Sequence, residues 1–187
     1  RRRRHASYVL EQGQLQPVPH RAHWQPLEYN ALHGGMQRWF EPVLPSVAEQ
    51  PVWQQLLVWT GSVCSALKGP QTWFIEAHQF RIDTTDGIGR PTPEGAHRDG
   101  VDMVAVFMVN RQGIKGGESR VFQADGPQGQ RFTLAQPWSV LLLDDARVIH
   151  ESTPIQPLIP EQASPLDCFR DTLVLTLRAQ GFQDDVS

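Results

Sequence analysis

From Thr72 to Arg178 the sequence breaks into short runs of β-branched, aromatic and aliphatic residues, separated by Gly, Pro, Asp and Asn, and this pattern most limits the folds open to the chain. The runs are Trp73–Asp83, Val101–Asn110, Glu118–Gln123, Arg131–Leu134, Ser139–Leu143, Arg147–Ser152 and Asp171–Arg178. Turn signals fall between them at Asp86-Gly87, Gly116-Gly117, Gly126-Pro127 and Asp144-Asp145. Strands this short and this closely spaced predict a sandwich, barrel or jelly roll. The stretch Pro154–Pro165 carries four prolines and reads as a loop before the last strand.

Upstream the period is helical. Leu27–Phe40 has the apolar spacing of a short helix, weakened by Gly34-Gly35. Ser46-Val47-Ala48-Glu49 has the form of a capping box, and Pro51 suits a first helical turn. Trp53, Leu56, Leu57, Thr60, Val63, Cys64 and Leu67 then lie on one helical face that ends near Gly69-Pro70. The expected organisation is a single domain over residues 1–187, mainly β, with a helical N-terminal part (1–70) packed outside the sheets of a β core (71–180). The opening Arg1-Arg2-Arg3-Arg4 reads as a solvated tail.

Composition narrows the classes. The 187 residues, 40% hydrophobic and 20% charged, fit one globular domain. A net charge of −3 gives no pull toward nucleic acid or an anionic membrane. No apolar stretch reaches membrane-spanning length, and no apolar segment of a signal peptide follows the arginines. Cys64 and Cys168, with no CxxC pair, are expected as free thiols in a cytoplasmic protein. The six tryptophans are expected in core and helix packing.

In Glu94-Gly95-Ala96-His97-Arg98-Asp99-Gly100 an extended backbone puts His97 and Asp99 on one side and Arg98 on the other. One imidazole and one carboxylate side by side offer two adjacent ligands to a divalent metal. His150, in a predicted strand 53 positions further on, can supply the third. Two histidines and one carboxylate on one face of an octahedral ion leave the opposite face open, as an oxygen-activating Fe(II) site requires. The same residues by themselves also suit an HxD sequence in an ordinary loop.

His97-Arg98-Asp99 with His150 resembles the HxD…H triad of the Fe(II)/2-oxoglutarate oxygenases. Gly116-Gly117-Glu118 resembles the Gly-Gly turn in the middle of that family's double-stranded β-helix, and Arg170-Asp171-Thr172 its Arg-x-Ser/Thr element. His78-Gln79-Phe80-Arg81-Ile82, Pro93–Gly100, Val109-Asn110-Arg111, Gly116–Ser119 and Leu143-Asp144-Asp145 are similar to a small bacterial branch that includes the L-isoleucine 4-hydroxylases. The resemblance spans roughly residues 73 to 180. It implies a double-stranded β-helix (jelly roll, cupin-like) and iron bound by His97, Asp99 and His150. It further implies 2-oxoglutarate and O2 as co-substrates, Arg170 and Thr172 on the far carboxylate of 2-oxoglutarate, and a free aliphatic L-amino acid as the small-molecule substrate.

Two other readings stand beside it. One is a cupin-like metal enzyme that works without 2-oxoglutarate; the other is a non-catalytic stress or regulatory protein that keeps the site. For the substrate, Arg81 is a candidate: with His78, Phe80 and Ile82 packed on helices, Arg81 would face the cavity and bind a substrate carboxylate, or else pair with Asp83 or Asp86 at a sheet edge. Thr84–Pro93, rich in Gly, Thr and Pro, is a candidate lid.

Overall fold

A computed structural model describes residues 1–159 and 167–185. The strands are β1 (Arg2–Glu11), β2 (Gln14–Pro17), β3 (Glu41–Pro42), β4 (Trp73–Asp83), β5 (Met103–Gln112), β6 (Ile114–Gly116), β7 (Ser119–Gln123), β8 (Gly129–Phe132), β9 (Val140–Asp144), β10 (Val148–Ser152), β11 (Ile155–Pro157) and β12 (Phe169–Arg178). Helices α1 (Pro45–Ala48) and α2 (Pro51–Lys68) lie between β3 and β4. The large sheet runs β2-β1-β4-β12-β5-β9, with β3 pairing β1; β10-β7-β8 and β11-β6 form two smaller sheets. All pairs are antiparallel except β1 with β3. This is the mainly β jelly-roll architecture that the sequence implies.

Side-chain alternation gives the central strands two unlike faces. On one, Trp73, Ile75 and Ala77 of β4 meet Leu173, Leu175 and Leu177 of β12, Met103, Ala105 and Phe107 of β5, and Tyr8 and Leu10 of β1. Helix α2 covers this face with Trp53, Leu57 and Cys64, and the Trp53 indole N–H donates to the Tyr8 hydroxyl at 2.9 Å. Both helices start with a proline in the first turn, which suits a position whose N–H has no helical partner; neither has a side-chain cap, so the expected capping box is not formed. The other face carries Glu76, His78, Phe80 and Ile82 of β4 and Arg170, Thr172, Val174 and Thr176 of β12, and turns toward the small sheets.

The N-terminal part departs from expectation. Residues 2–11 are a full strand paired with β4 from Arg2↔Arg81 to Leu10↔Trp73, so the arginine run is built into the large sheet and is no tail. A run of charge looks solvated until a neighbouring strand supplies partners for its backbone. Residues 27–40 form turns and no helix. There Gln25 and Asn30 are buried while Leu27 and Trp39 are exposed, the inverse of an amphipathic helix, because the polar side chains are turned in toward a cavity. Trp53 and Trp73 are core residues, but Trp39, Trp59 and Trp138 are exposed. Cys64 and Cys168 are buried free thiols, and burial pushes the Cys64 thiol up to about 12. Most of the proline-rich stretch after Ile159 lies outside the described residues; its start forms β11.

The candidate lid is tied down at several points: Thr84 N–H donates to the Cys168 carbonyl, Gly89 and Ile155 exchange backbone hydrogen bonds, and the Thr92 hydroxyl donates to the Ser152 carbonyl. No helix among the described residues is long and apolar enough to cross a membrane.

Removing residues 1–6 exposes one edge of β4 over much of its length. The expected outcome is loss of the cooperative thermal transition followed by circular dichroism; a solvated tail would leave the midpoint unchanged.

Candidate active site

The segment before β5 has no regular ladder, yet it carries two of the three candidate ligands. His97 and His150 exchange backbone hydrogen bonds, His97 N–H to the His150 carbonyl at 3.0 Å and the reverse at 2.9 Å. This bridge brings the rings to 4.8 Å between centroids. Asp99 Oδ2 lies 3.2 Å from His150 Nε2, and Asp99 Oδ1 lies 3.7 Å from His97 Nε2. One ligand atom from each of the three residues falls within 4.8 Å of the others. His97 Nδ1 is 2.9 Å from the Gly95 carbonyl, which only accepts, so Nδ1 carries a proton and Nε2 is the nitrogen turned to the cluster, able to bind a metal once it gives up its own proton.

Burial opposes charge on Asp99, but hydrogen bonds from His150 and His97 outweigh it and hold the carboxyl far below its ordinary range. Burial likewise opposes charge on His97, but the Asp99 carboxylate beside it pushes the imidazole up to about 9. The group thus attracts positive charge, and a divalent cation can take the place of the proton.

The loop is held by a residue to which the sequence reading gave no role. Asp145 is fully buried, and its carboxylate accepts the backbone N–H groups of Asp99 (3.0 Å), Gly100 (2.8 Å) and Val101 (3.2 Å). Arg98 Nε donates to the Asp145 carbonyl at 2.8 Å, which keeps Arg98 off the ligands. Gln183 Nε2 donates to the carbonyls of Asp99 (2.8 Å) and Gly100 (3.0 Å). Gly100 has a φ of +75°, and a Cβ there would sit 2.3 Å from the Tyr29 ring. The Asp-Asp turn after a strand was the available signal for Asp145; nothing local marks Gln183.

The ligands open on a cavity of about 390 Å³, within the range of small-molecule sites. Arg170 and Thr172 line it from β12, each 3% exposed. Arg170 Nε is buried with no partner among the described residues. Burial, then Arg111, pushes the guanidinium down to about 10. Its stem packs on Gly117, and a Cβ on Gly116 would lie 2.2 Å from the Pro154 carbonyl, so the Gly-Gly turn lets β11 and Arg170 close in. Arg81 points to the opposite face: its Nε and Nη2 donate to both carboxylate oxygens of Asp171 at 2.8 and 2.6 Å, over the Phe169 ring. The expected cavity-facing Arg81 is therefore corrected, and so is its candidate pairing with Asp83 or Asp86. Trp73, Ile75 and Ala77 share its parity and take that face to α2, which sends His78, Phe80 and Ile82 to the cavity instead.

A second group, His5, His23, Glu76 and His78, also has metal-ligand atoms within 4.8 Å of one another. One nitrogen of each of its imidazoles and one oxygen of Glu76 are already engaged. Glu76 Oε1 accepts from His5 Nε2 (3.0 Å) and His23 Nδ1 (3.1 Å), and Arg3 Nη2 donates to His78 Nδ1 (2.9 Å). A buried guanidinium inside the group opposes a second cation. Burial holds His78 well below 6.5, helped by Arg3, and it lowers His23 against the pull of Glu76.

Two imidazoles and one carboxylate meeting inside a jelly roll, with one face of the site open to a cavity, define a mononuclear non-haem iron oxygenase. The chain belongs to the 2OG-Fe dioxygenase family, whose model matches residues 1–176. It is a dioxygenase of the kind that uses Fe(II), 2-oxoglutarate and O2. It is 60% identical to a solved bsmA homolog from Methylobium petroleophilum PM1, with a TM-score of 0.89 over 97% of this chain and 72% of that one. At 18% identity it shares its fold with IDO from Bacillus thuringiensis (TM-score 0.76, 96% of this chain and 75% of that one). It likewise shares its fold with the Fe(II)/alpha-ketoglutarate-dependent dioxygenase TqaL (18% identity, TM-score 0.73, 100% and 70%). No curated protein matches the sequence.

Two outcomes are expected. Asp145→Ala leaves three loop N–H groups without their acceptor; it should cost about 3 kcal/mol in urea unfolding and weaken metal binding roughly tenfold to a hundredfold in a metal titration. In the metal-free protein, His23 and His78 stay neutral in the fold while the unfolded chain protonates them near 6.5. Their stabilisation is therefore present above 6.5 and lost as the pH falls below it. His97, raised in the fold, contributes fully throughout that acid range, and the carboxylates shifted downward matter only nearer 4. Calorimetry should show the unfolding midpoint falling between 6.5 and about 4.5, with a smaller fall in His78→Gln.

Proposed function

We propose that the protein hydroxylates a small substrate, a free aliphatic L-amino acid, at iron held by His97, Asp99 and His150. Arg170 and Thr172 bind the far carboxylate of 2-oxoglutarate. The observation that carries this reading is the convergence of three ligand atoms within 4.8 Å at the wall of a cavity whose other wall holds a buried guanidinium with an unpartnered Nε.

The donor set fits the metal: neutral imidazole nitrogens and an ionised carboxylate, with the His97 tautomer fixed by the Gly95 carbonyl. Bound there, iron would activate O2, one oxygen atom passing to 2-oxoglutarate, which leaves as succinate and CO2, and the other to the substrate as a hydroxyl. The chain's own residues do the positioning. Arg170 offers a planar fork of donors to a carboxylate, and the Thr172 hydroxyl, two residues along on the same face, adds another. Phe80, Ile82, Val106 and Val174 give the cavity an apolar part that suits an aliphatic side chain and excludes water. The volume suits two small molecules better than a peptide. The free thiols at Cys64 and Cys168 fit a reducing cytoplasm.

The test is a screen of the twenty L-amino acids for succinate release coupled to a hydroxylated product. Adding 2-oxoglutarate to the anaerobic Fe(II) protein should raise a metal-to-ligand charge-transfer band. His97→Ala should lose both the band and turnover with the fold intact. Arg170→Gln should keep metal binding but raise the 2-oxoglutarate requirement roughly thirtyfold or more, as removal of one partner of a buried charge pair does. Full turnover in His97→Ala would sink the assignment.

A further inference from the structure

The cavity is lined by two more arginines, Arg3 from the β1 end of the same sheet face and Arg38 from the 27–40 segment, that form no ion pair with a carboxylate among the described residues. Arg3, on β1, is half-buried. Its guanidinium lies 4.0 Å from the Phe40 ring centroid and 4.9 Å from that of Phe80, and Nη2 donates to His78 Nδ1. Its Nε is buried with no partner among the described residues. Arg38 donates through Nη2 to Gln25 Oε1 at 3.0 Å, and its Nε is likewise buried and unpartnered. Both side chains line the cavity, and among the described residues neither has a carboxylate within 4.0 Å.

The nearby acids are committed elsewhere. Glu76 accepts from His5 and His23, Asp99 stands among the ligands, and Glu94, which also acts on Arg38 from the cavity lining, has Oε1 3.7 Å from His97 Nε2. Burial, then the neighbouring Arg38 and Arg1, push Arg3 down to about 9, so three like charges share one recess. Buried charge without a partner is costly, and such a recess is completed by an anion. His78 points the same way. Because Arg3 can only donate to Nδ1, Nε2 carries the proton, and that N–H is buried without an acceptor.

This recess is distinct from Arg170. In the large sheet Arg3 aligns with Phe80 and then Thr172, whereas Arg170 aligns with Ile82. Two strand spacings of about 4.8 Å and one two-residue step along the strand put the Arg3 and Arg170 backbones roughly 12 Å apart, with Phe80 and Ile82 of β4 between them. The like charges acting on Arg3 are Arg38 and Arg1, and the one acting on Arg170 is Arg111, so the two guanidiniums belong to different groups.

We propose that Arg3 and Arg38 form a second carboxylate subsite, which holds the carboxylate of the substrate while its aliphatic part lies toward His97, Asp99 and His150. This rests on the amino-acid reading above and adds the residues that recognise the substrate. It also transfers to β1 and the 27–40 segment the role that strand parity denies to Arg81.

Calorimetric titration of the Fe(II)- and 2-oxoglutarate-loaded protein, kept anaerobic, tests it with L-leucine, isovalerate and L-leucinamide. Leucine and isovalerate should bind, and leucinamide about tenfold more weakly or worse, since it lacks the anion. Arg38→Gln should weaken leucine and isovalerate about tenfold, while the charge-transfer titration with 2-oxoglutarate stays unchanged. Arg3→Lys should act in the same direction; Arg38 lies outside the sheet, so its variant tests the subsite even where the Arg3 variant does not fold. Equal binding of leucine and leucinamide, leucine and isovalerate affinity that is the same in Arg38→Gln, or no binding of either carboxylate overturns the subsite. So does a weakened 2-oxoglutarate titration in Arg38→Gln with leucine unaffected, which would give the recess to the co-substrate. If no amino acid releases succinate but isovalerate binds in an Arg38-dependent way, the amino-acid reading falls and the subsite stands. If leucine turns over equally in wild type and Arg38→Gln, the reverse holds.

Discussion

The register of β4 between β1 and β12 governs the rest of the molecule. Trp73, Ile75 and Ala77 lie in register with Leu10, Tyr8 and Ala6 on one side, and Ile75 and Ala77 with Leu177 and Leu175 on the other. Helix α2 buries that layer. A strand has only two faces, so the layer also decides which residues the cavity receives: Arg3, His78, Phe80, Arg170 and Thr172. A slip by one residue would put arginines and histidines under α2 and leucines against the metal ligands. The hydrophobic effect thus selects the polar wall indirectly, by taking the other face.

The ligands themselves are set by a different device. His97 and Asp99 sit on a segment joined to β10 by the His97–His150 bridge, and the Asp145 carboxylate gathers three consecutive N–H groups just beyond it. An irregular segment can aim two ligands at a third on a separate sheet, but its backbone groups then need other partners. Asp145 and Gln183 supply them. Arg98 ties the same turn from outside, which is why the residue between two ligands is a basic one directed away.

This division explains what was legible in the sequence. His97, Asp99 and His150 could be found because two-residue spacing and a strand-borne histidine are local signals, and Arg170-x-Thr172 carries its own parity. The run Trp73–Asp83 has the observed bounds of β4 because alternation and turn residues both mark it. Arg81 could not be oriented from residues 78 to 83, where Phe80 and Ile82 look like a core face; the three residues that decide the matter come earlier in the strand. β1 was missed because its register partner lies some seventy positions away and its arginines resemble a solvated run. Residues 27–40 read as a helix because apolar spacing does not tell which residues a cavity will draw inward. Asp145 and Gln183 act through backbone contacts with distant residues, which no local pattern records.

The charges of the cavity form one system. Asp99 and Glu76 are held ionised by histidines; Arg3, Arg38 and Arg170 are held charged with unpartnered Nε atoms. A cation at the triad offsets Asp99, and two bound carboxylates would offset the arginines at two separate places in the cavity. Each component lowers the cost of the next, since every buried charge is less expensive once its counter-charge is present. Binding energy held back in this way is released only when metal, co-substrate and substrate are all in place. An enzyme that generates an oxidant would gain from this arrangement, because fixing the polar ends of both organic molecules would position the rest against the apolar part of the wall, Val106 and Val174 with Phe80. On the proposed reading, the arginines would set the distance from a carboxylate to the metal, and with it where along an aliphatic chain the oxidation falls.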